Sequence, residues 1–340
     1  MKIAYRQHWR RALGPAVLFA ATQALLSACA ITPQLRELPL ASVTAQPQLE
    51  LSDTPFFPQE IHQCGPAALA TVLNAARVAV TPEALADEIY IPGREGSLQA
   101  ELLAAVRTHE RIAVRLEPRL EAVLAPLTEQ RPVLLLQNLG LKSYPRWHYA
   151  VLVGWDAASN ELILRSGAKQ RERLSLARFL QTWDLGGRWA VVVADPLAPP
   201  PAAVTARDWI AAVAPLEALK QNERALAAYD AAAQRWPGDA LVWQALANAR
   251  YSQKDLAGAE QALDAAVAID ANAAALNNLA QVRIERGCRA DALAALDKVG
   301  TVPPALAATL ADTRKTAMEL PAGRDRAASR AEVSPRSRSE

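Results

Sequence analysis

The sequence predicts an α+β domain followed by an all-α array of helical repeats. Between residues 55 and 196, apolar residues first recur at three- and four-residue spacing, as in helices, and later form short runs typical of strands. Helices followed by strands favour an α+β arrangement. From residue 206 to 305 the sequence instead repeats itself, with a period close to that of proteins built from helix pairs.

The composition is that of a globular protein, since 51% of the 340 residues are hydrophobic and 21% are charged. The net charge is +2, from 37 basic and 35 acidic residues. Four of the basic residues and none of the acidic ones precede residue 29, which leaves 33 basic residues against 35 acidic ones in the remainder. Without a basic field, we expect no nucleic-acid partner.

The first 28 residues have the character of an export signal. A basic start is followed by the apolar run 12–26, which is too short to span a bilayer comfortably but suits a signal peptide. The run ends in Leu-Ser-Ala-Cys at 26–29, which resembles the lipobox of bacterial lipoproteins. That resemblance implies a signal peptide over 1–28 and a lipid on Cys29. Because Ala30 follows rather than an aspartate, it also implies an outer-membrane location facing the periplasm. An ordinary secretory signal with an incidental cysteine is the alternative.

Breaks in composition divide the rest of the chain. Residues 29–54 hold scattered prolines without a sustained period and are predicted to form a flexible tether. Residues 197–205 are rich in proline and predict a stiff linker. The segment 55–196 between them has the size of one domain. Residues 306–340 are expected to hold a terminal helix remnant and a disordered tail.

The stretch 206–305 predicts three repeats. Trp209, Trp243 and Leu276 share one repeat position. Three further positions keep the same offsets: Ala225, Ala259 and Ala292; Tyr229, Leu263 and Leu296; Ala232, Ala266 and Val299. The pattern resembles the tetratricopeptide repeat, which implies a solenoid whose concave face binds a protein or peptide partner. Pro215 departs from the pattern and predicts a kink or a late start in the first helix.

The segment around Cys64 predicts a nucleophile at the start of a helix. Pro66 suits the first turn, and the alanine-rich run after it propagates a helix well. Free backbone N–H groups and the positive end of the helix dipole favour a thiolate there, which predicts a pKa below the usual value of about 8.5. Gln59, five residues upstream, is placed to reach an oxyanion held by the same N–H groups. A buried structural cysteine is the alternative.

A second candidate is His148, which starts an otherwise apolar strand. A general base must be held rigidly and reach the thiol from a neighbouring element, and the end of a sheet provides both conditions. A histidine satisfied within the core is the alternative.

Taken together, these segments resemble a known family. Gln-x4-Cys-Gly-Pro-Ala, followed about 85 residues later by His-x-x-Val-x-Val-Gly, is similar to the papain-like cysteine peptidases that process bacteriocin leaders after a double glycine, and to their stand-alone relatives. The resemblance covers 55–196 and implies a papain-like cysteine peptidase domain acting on a peptide or protein substrate. It implies Cys64 as nucleophile, His148 as base and Gln59 in the oxyanion hole. Gln63, next to the nucleophile, is the alternative donor.

The third member of the site departs from the family pattern. The family has Asp or Asn on the strand that follows the histidine, whereas this chain has Ser166. A serine orients the imidazole by a neutral hydrogen bond but supplies no negative charge. Asp156 and Asp184 are the other candidates. The function predicted is a membrane-anchored periplasmic cysteine peptidase, and the alternative is a weak or inactive peptide-binding adaptor lipoprotein.

The other histidines and cysteines are expected to have no chemical role. His62 lies in the loop before the nucleophile and His109 ends a polar helix, so their spacing indicates no metal site. Cys288 falls in a turn between repeat helices and is expected to be a structural or idle thiol. A disulfide between Cys64 and Cys288 is the alternative in an oxidising compartment. Neither a metal nor a cofactor is expected.

Overall fold

An antiparallel sheet forms the centre of the first half of the chain. The structure is a computed structural model and describes residues 39–58 and 63–321. The strands of this part are β1 (Gln48–Glu50), β2 (Ile112–Arg115), β3 (Val133–Asn138), β4 (Trp147–Asp156), β5 (Glu161–Ser166), β6 (Lys169–Ser175) and β7 (Ala190–Ala194). Six of them pair in the order β2-β7-β3-β4-β5-β6, and β1 pairs with β4.

Helices flank the sheet and then continue alone. The first five are α1 (Cys64–Ala75), α2 (Pro82–Ile89), α3 (Gln99–Thr108), α4 (Leu120–Thr128) and α5 (Leu176–Leu185). The helical array consists of α6 (Ala206–Ala218), α7 (Asn222–Arg235), α8 (Ala240–Ser252), α9 (Leu256–Ile269), α10 (Ala273–Glu285), α11 (Arg289–Asp297) and α12 (Ala307–Glu319). The predicted α+β arrangement with an all-helical region after it is confirmed. The identification of the array with tetratricopeptide repeats stays a prediction.

Apolar residues bury the centre of the sheet on both faces. Every residue of β3 and of β7 is buried, which suits strands whose apolar runs lack polar alternation. By contrast, β6 is an edge strand of mostly exposed charged residues, and such charges protect an edge from pairing with another chain. At the other edge, α6 packs against β2.

The predicted tether is wrong from residue 39 onward. Leu40 is fully buried in the core, and its N–H donates to Asn160 Oδ1 at 2.9 Å. Strand β1 pairs with the far half of β4, so that Gln48 lies opposite Asp156. The approach is close enough that a Cβ at Gly154 would lie 2.3 Å from the Leu49 carbonyl oxygen. These pairings span more than a hundred residues, so local composition did not reveal them.

The helical array packs on the α+β part. Gln221 Nε2 donates to the Arg107 carbonyl at 2.9 Å, and Arg224 pairs with Glu110. The proline-rich stretch is packed as well, because Ala202 N–H donates to Glu129 Oε1 at 2.8 Å. The start and end of the predicted linker, 197–205, stay a prediction.

Within the array, repeat positions are buried between helices. Ala225, Ala259 and Ala292 are all fully or almost fully buried, which permits close approach of neighbouring helices. Helix α6 already begins at Ala206 and runs through Pro215, so the late start is wrong, and the alternative, a kink at Pro215, stays a prediction. The last helix, α12, packs against α10 and α11.

No helix among the described residues is both long and apolar enough to cross a bilayer. The predicted signal peptide 1–28 and the lipid site Cys29 lie outside the described residues.

Candidate active site

Cys64 is the first residue of α1, which packs against β4. Nearly the whole helix after it is buried. Gly65 has to be small, because a Cβ there would lie 2.7 Å from Ser97 Oγ, in the segment before α3. The start of α1 therefore packs between β4 and the segment before α3, and this packing positions the Cys64 thiol.

Two opposing effects act on the pKa of the partly buried Cys64 thiol. Burial raises the pKa of the thiol, and hydrogen bonds from the backbone N–H groups of Tyr149, Gly65 and Cys64 itself lower it. The net direction is upward. The predicted lowering of this pKa is therefore wrong, because desolvation outweighs the N–H groups at the helix start. A raised pKa favours the neutral thiol near pH 7.

His148 lies at the start of β4 and makes one defined side-chain contact. Its Nε2 is 2.9 Å from Ser166 Oγ, and Ser166 is only 6% exposed at the end of β5. Burial lowers the pKa of His148, while the carboxylate of Glu172 raises it and Arg146 lowers it further. The net direction is downward, so the imidazole is neutral near pH 7 and has the lone pair that a base requires.

One cavity brings the two reactive side chains together. It measures about 800 Å³, and both Cys64 and His148 line it. The backbone N–H of Tyr149, the residue after His148, donates to the Cys64 sulfur. Leu98 and Trp147 add apolar wall, and Arg146 adds a positive charge. A cavity of this size accommodates several residues of a peptide.

The loop between β3 and β4 forms a preorganised wall of this cavity. Buried Asn138 accepts hydrogen bonds at Oδ1 from Gly140 N–H at 2.9 Å and from Arg146 N–H at 2.8 Å. The loop thus keeps its shape while exposing Leu141 and Tyr144, which are 69% and 79% accessible.

The two aspartates proposed as alternatives to Ser166 are engaged elsewhere. Asp156 ends β4, at the other end of the strand from His148, and pairs with Arg173 at 2.8 Å. Asp184 pairs with Arg188, one turn along and past the end of α5. The structure therefore brings Ser166, and neither aspartate, to His148.

The remaining predicted residues are placed as follows. Gln59 and His62 lie outside the described residues. Gln63 precedes α1, and its carbonyl accepts the Ala67 N–H at 3.2 Å. His109 contacts Glu88 at 3.1 Å. No cluster of potential metal ligands occurs within 39–58 and 63–321.

The alternative disulfide is wrong, because Cys64 and Cys288 are both free thiols. Cys288 is buried at the start of α11, far along the array in sequence.

Two polar groups near the site were not anticipated from the sequence. Ser97 carries a buried hydroxyl with no hydrogen-bond partner, and Glu172 acts on His148 from β6. The mostly polar pattern of β6 gave no apolar signal for a strand.

One family model matches most of the α+β part of the chain. The Peptidase_C39 like family model matches residues 42–191. This match supports a domain like that of the C39 cysteine peptidases in the α+β part. No curated protein matches the chain.

Three solved structures are similar to this domain. A protein described as a C39-like peptidase from Bacillus anthracis is 18% identical, with 44% of this chain and 98% of that chain covered and a TM-score of 0.38. A double glycine motif protease from an AMS/PCAT transporter, in complex with its leader peptide, is 19% identical over 44% and 99%, with a TM-score of 0.33. The peptidase domain of Streptococcus ComA, a bifunctional ABC transporter of a quorum-sensing pathway, is 18% identical over 42% and 98%, with a TM-score of 0.31.

Proposed function

We propose that this protein is a cysteine peptidase that hydrolyses a peptide or amide bond in a peptide substrate, with Cys64 as nucleophile and His148 as base. The observation that carries the proposal is the shared cavity: the thiol and the imidazole both line it. In the tautomer that this mechanism requires, Nε2–H of His148 donates to Ser166 Oγ, 2.9 Å away, which leaves the lone pair of Nδ1 to accept the thiol proton.

The reaction begins from neutral partners. As the Cys64 sulfur bonds to the scissile carbonyl carbon, His148 takes the thiol proton and the carbonyl electron pair moves onto oxygen. The backbone N–H groups at the start of α1, with Gln59 as the predicted side-chain donor, stabilise this oxyanion. The tetrahedral intermediate then collapses, the C–N bond breaks, and His148 protonates the leaving amine.

The acyl chain now remains on Cys64 as a thioester. His148 removes a proton from a water molecule that attacks the thioester carbonyl, and the carboxylic acid departs as the thiol is restored. During both halves of the reaction His148 is transiently an imidazolium. Ser166 holds the ring in place for these transfers through its neutral hydrogen bond.

The site is tested by cleavage of a peptide mixture, read by mass spectrometry. Cys64→Ala should lower cleavage by roughly 10⁴-fold or more, as removal of a nucleophile does. Cys288→Ala is the matched control, since it removes the other free thiol of the described chain, and it should leave cleavage unchanged. Equal cleavage by wild type and Cys64→Ala would contradict the proposal.

A peptide-binding adaptor is the second candidate function. The neutral third partner, Ser166, and the raised pKa of the Cys64 thiol favour it, because both reduce the fraction of reactive thiolate. In the same experiment an adaptor retains peptides without cutting them, and Cys64→Ala retains them equally well.

We propose further that a lipid on Cys29 anchors the protein to the periplasmic face of the outer membrane, and that the helical array recruits substrate or a protein partner. The lipobox-like sequence at 26–29 supports the first statement, and the succession of helices α6–α12 supports the second. Cys29→Ala should move the protein from the membrane fraction to the soluble fraction. Membrane retention of that variant in high salt would contradict the anchor.

A further inference from the structure

The proposed reaction makes His148 positive twice, yet its hydrogen-bond partner is uncharged. Ser166 accepts or donates a hydrogen bond but cannot offset a positive charge. Buried imidazolium is costly without a nearby negative group. A carboxylate near the imidazole ring would lower this cost.

Strand β6 supplies a carboxylate through an irregularity in its pairing. Leu164 of β5 lies opposite Glu172, and Ser166 lies opposite Lys169. Leu164 and Ser166 are two residues apart and so project from one face of the sheet. Lys169 and Glu172 are three residues apart, and in a regular strand they would project from opposite faces.

The register shift between Leu164 and Ser166 removes that conflict. It places one additional residue on β6, as a β-bulge does, and brings both of its charged side chains to the face that carries Ser166. The Lys169–Glu172 ion pair confirms the shared face, with Nζ and Oε1 3.1 Å apart. Lys169 is mostly exposed, whereas Glu172 is 26% accessible.

We propose that Glu172 is a positioning residue for His148: the register shift in β6 presents its carboxylate on the face of Ser166, where it stabilises the imidazolium formed during hydrolysis. The inference rests on the proposed function. Glu172, which lies on the neighbouring strand β6, thus supplies the negative charge that an aspartate in place of Ser166 would supply.

Among the charged groups of the described residues, Glu172 and Arg146 are the ones that act on the pKa of His148. Arg94 and Glu95 line the same cavity but are not among them. Arg146, on the same chain segment, opposes protonation of the ring, while Glu172 favours it. From α1 the neighbouring group is the Cys64 thiol, and on β4 it is the Tyr149 phenol; burial raises the pKa of both groups and keeps them neutral. Lys169 on β6 partly offsets Glu172.

The test measures the imidazole itself. In the full chain, the His148 ring proton resonance is titrated by NMR and assigned by its disappearance in His148→Gln. Glu172→Gln should lower the pKa of His148 by roughly 0.3 units or more, since it removes an opposite charge. Lys169→Met should shift it upward, because it leaves Glu172 without its counter-ion. Glu161→Gln is the matched control: Glu161 pairs with Arg173 at the other end of β5, and no shift is expected.

Hydrolysis gives a second and separate readout. In Glu172→Gln the acidic limb of the pH profile should move to lower pH, and kcat at the plateau should fall severalfold with KM little changed. Glu172→Asp should restore part of both. An unchanged His148 titration in Glu172→Gln and in Lys169→Met overturns the proposal. A shifted titration without hydrolysis by the wild type supports the coupling and overturns the proposed function instead.

Discussion

This molecule has two clusters of buried ionisable side chains, and the clusters differ in their electrostatics. In the helical array, Glu260 and Arg283 are 2% and 7% exposed and belong to one network of ion pairs. Arg283 pairs with Glu260 at 3.0 Å and with Asp264 at 2.9 Å, and Arg286 also pairs with Glu260. In the cavity, by contrast, burial raises the pKa of Cys64 and lowers the pKa of His148, which favours the neutral form of both groups.

The difference separates a cluster that holds structure from one that is available for chemistry. In the array, the buried Glu260 and Arg283 side chains are held in ion pairs, so this cluster contributes to structure. The thiol and the imidazole instead face a cavity and can exchange a proton when a substrate arrives. Substitutions in the array should therefore change the free energy of unfolding, whereas substitutions in the cavity should change the reactivity of the site.

The largest effect on folding is expected in the array. Arg283→Ala removes two ion pairs and leaves Glu260 buried with part of its network lost, so the free energy of unfolding should fall by about 3–5 kcal/mol. Chemical denaturation followed by circular dichroism measures it. Arg314→Ala breaks the exposed pair with Asp297 and should cost only about 0–1 kcal/mol. Equal losses in the two variants would show that the buried network has no special weight.

In the cavity, the expected effect concerns pH rather than stability. Because burial raises the pKa of Cys64, iodoacetamide should alkylate it slowly at pH 7, with a midpoint above the ordinary thiol value of about 8.5. A chain carrying Cys29→Ala and Cys288→Ala isolates the signal of Cys64. A midpoint well below that value, moved upward by His148→Ala, would instead establish a resting thiolate–imidazolium pair.

The smallest effect is expected at Ser166. Ser166→Ala removes one neutral hydrogen bond to His148, which is worth about 1 kcal/mol, so hydrolysis should fall by roughly tenfold or less. Ser143→Ala, in the exposed loop before β4, is the control and should have no effect. A loss near that of Cys64→Ala would mean that Ser166 does more than orient the ring.

Local signals explain why part of this arrangement was predictable. Cys64 precedes a proline and an alanine run, and His148 opens an apolar strand, so both positions could be assigned to their elements from neighbouring residues alone. The pairing of β1 with β4, the direction of the Cys64 pKa and the register of Glu172 depend on contacts between distant segments. A charged edge strand such as β6 has no apolar alternation, and its register shift leaves no trace in composition.

The pairing of β1 with β4 also determines where the described chain enters the sheet relative to the cavity. The described chain enters the sheet beside Asn160 and Asp156, whereas His148 lies eight residues back along β4, roughly 25 Å away at the usual rise of a strand. An attachment made through residues before Pro39 would therefore act on the Asp156 end of β4, which is remote from the cavity.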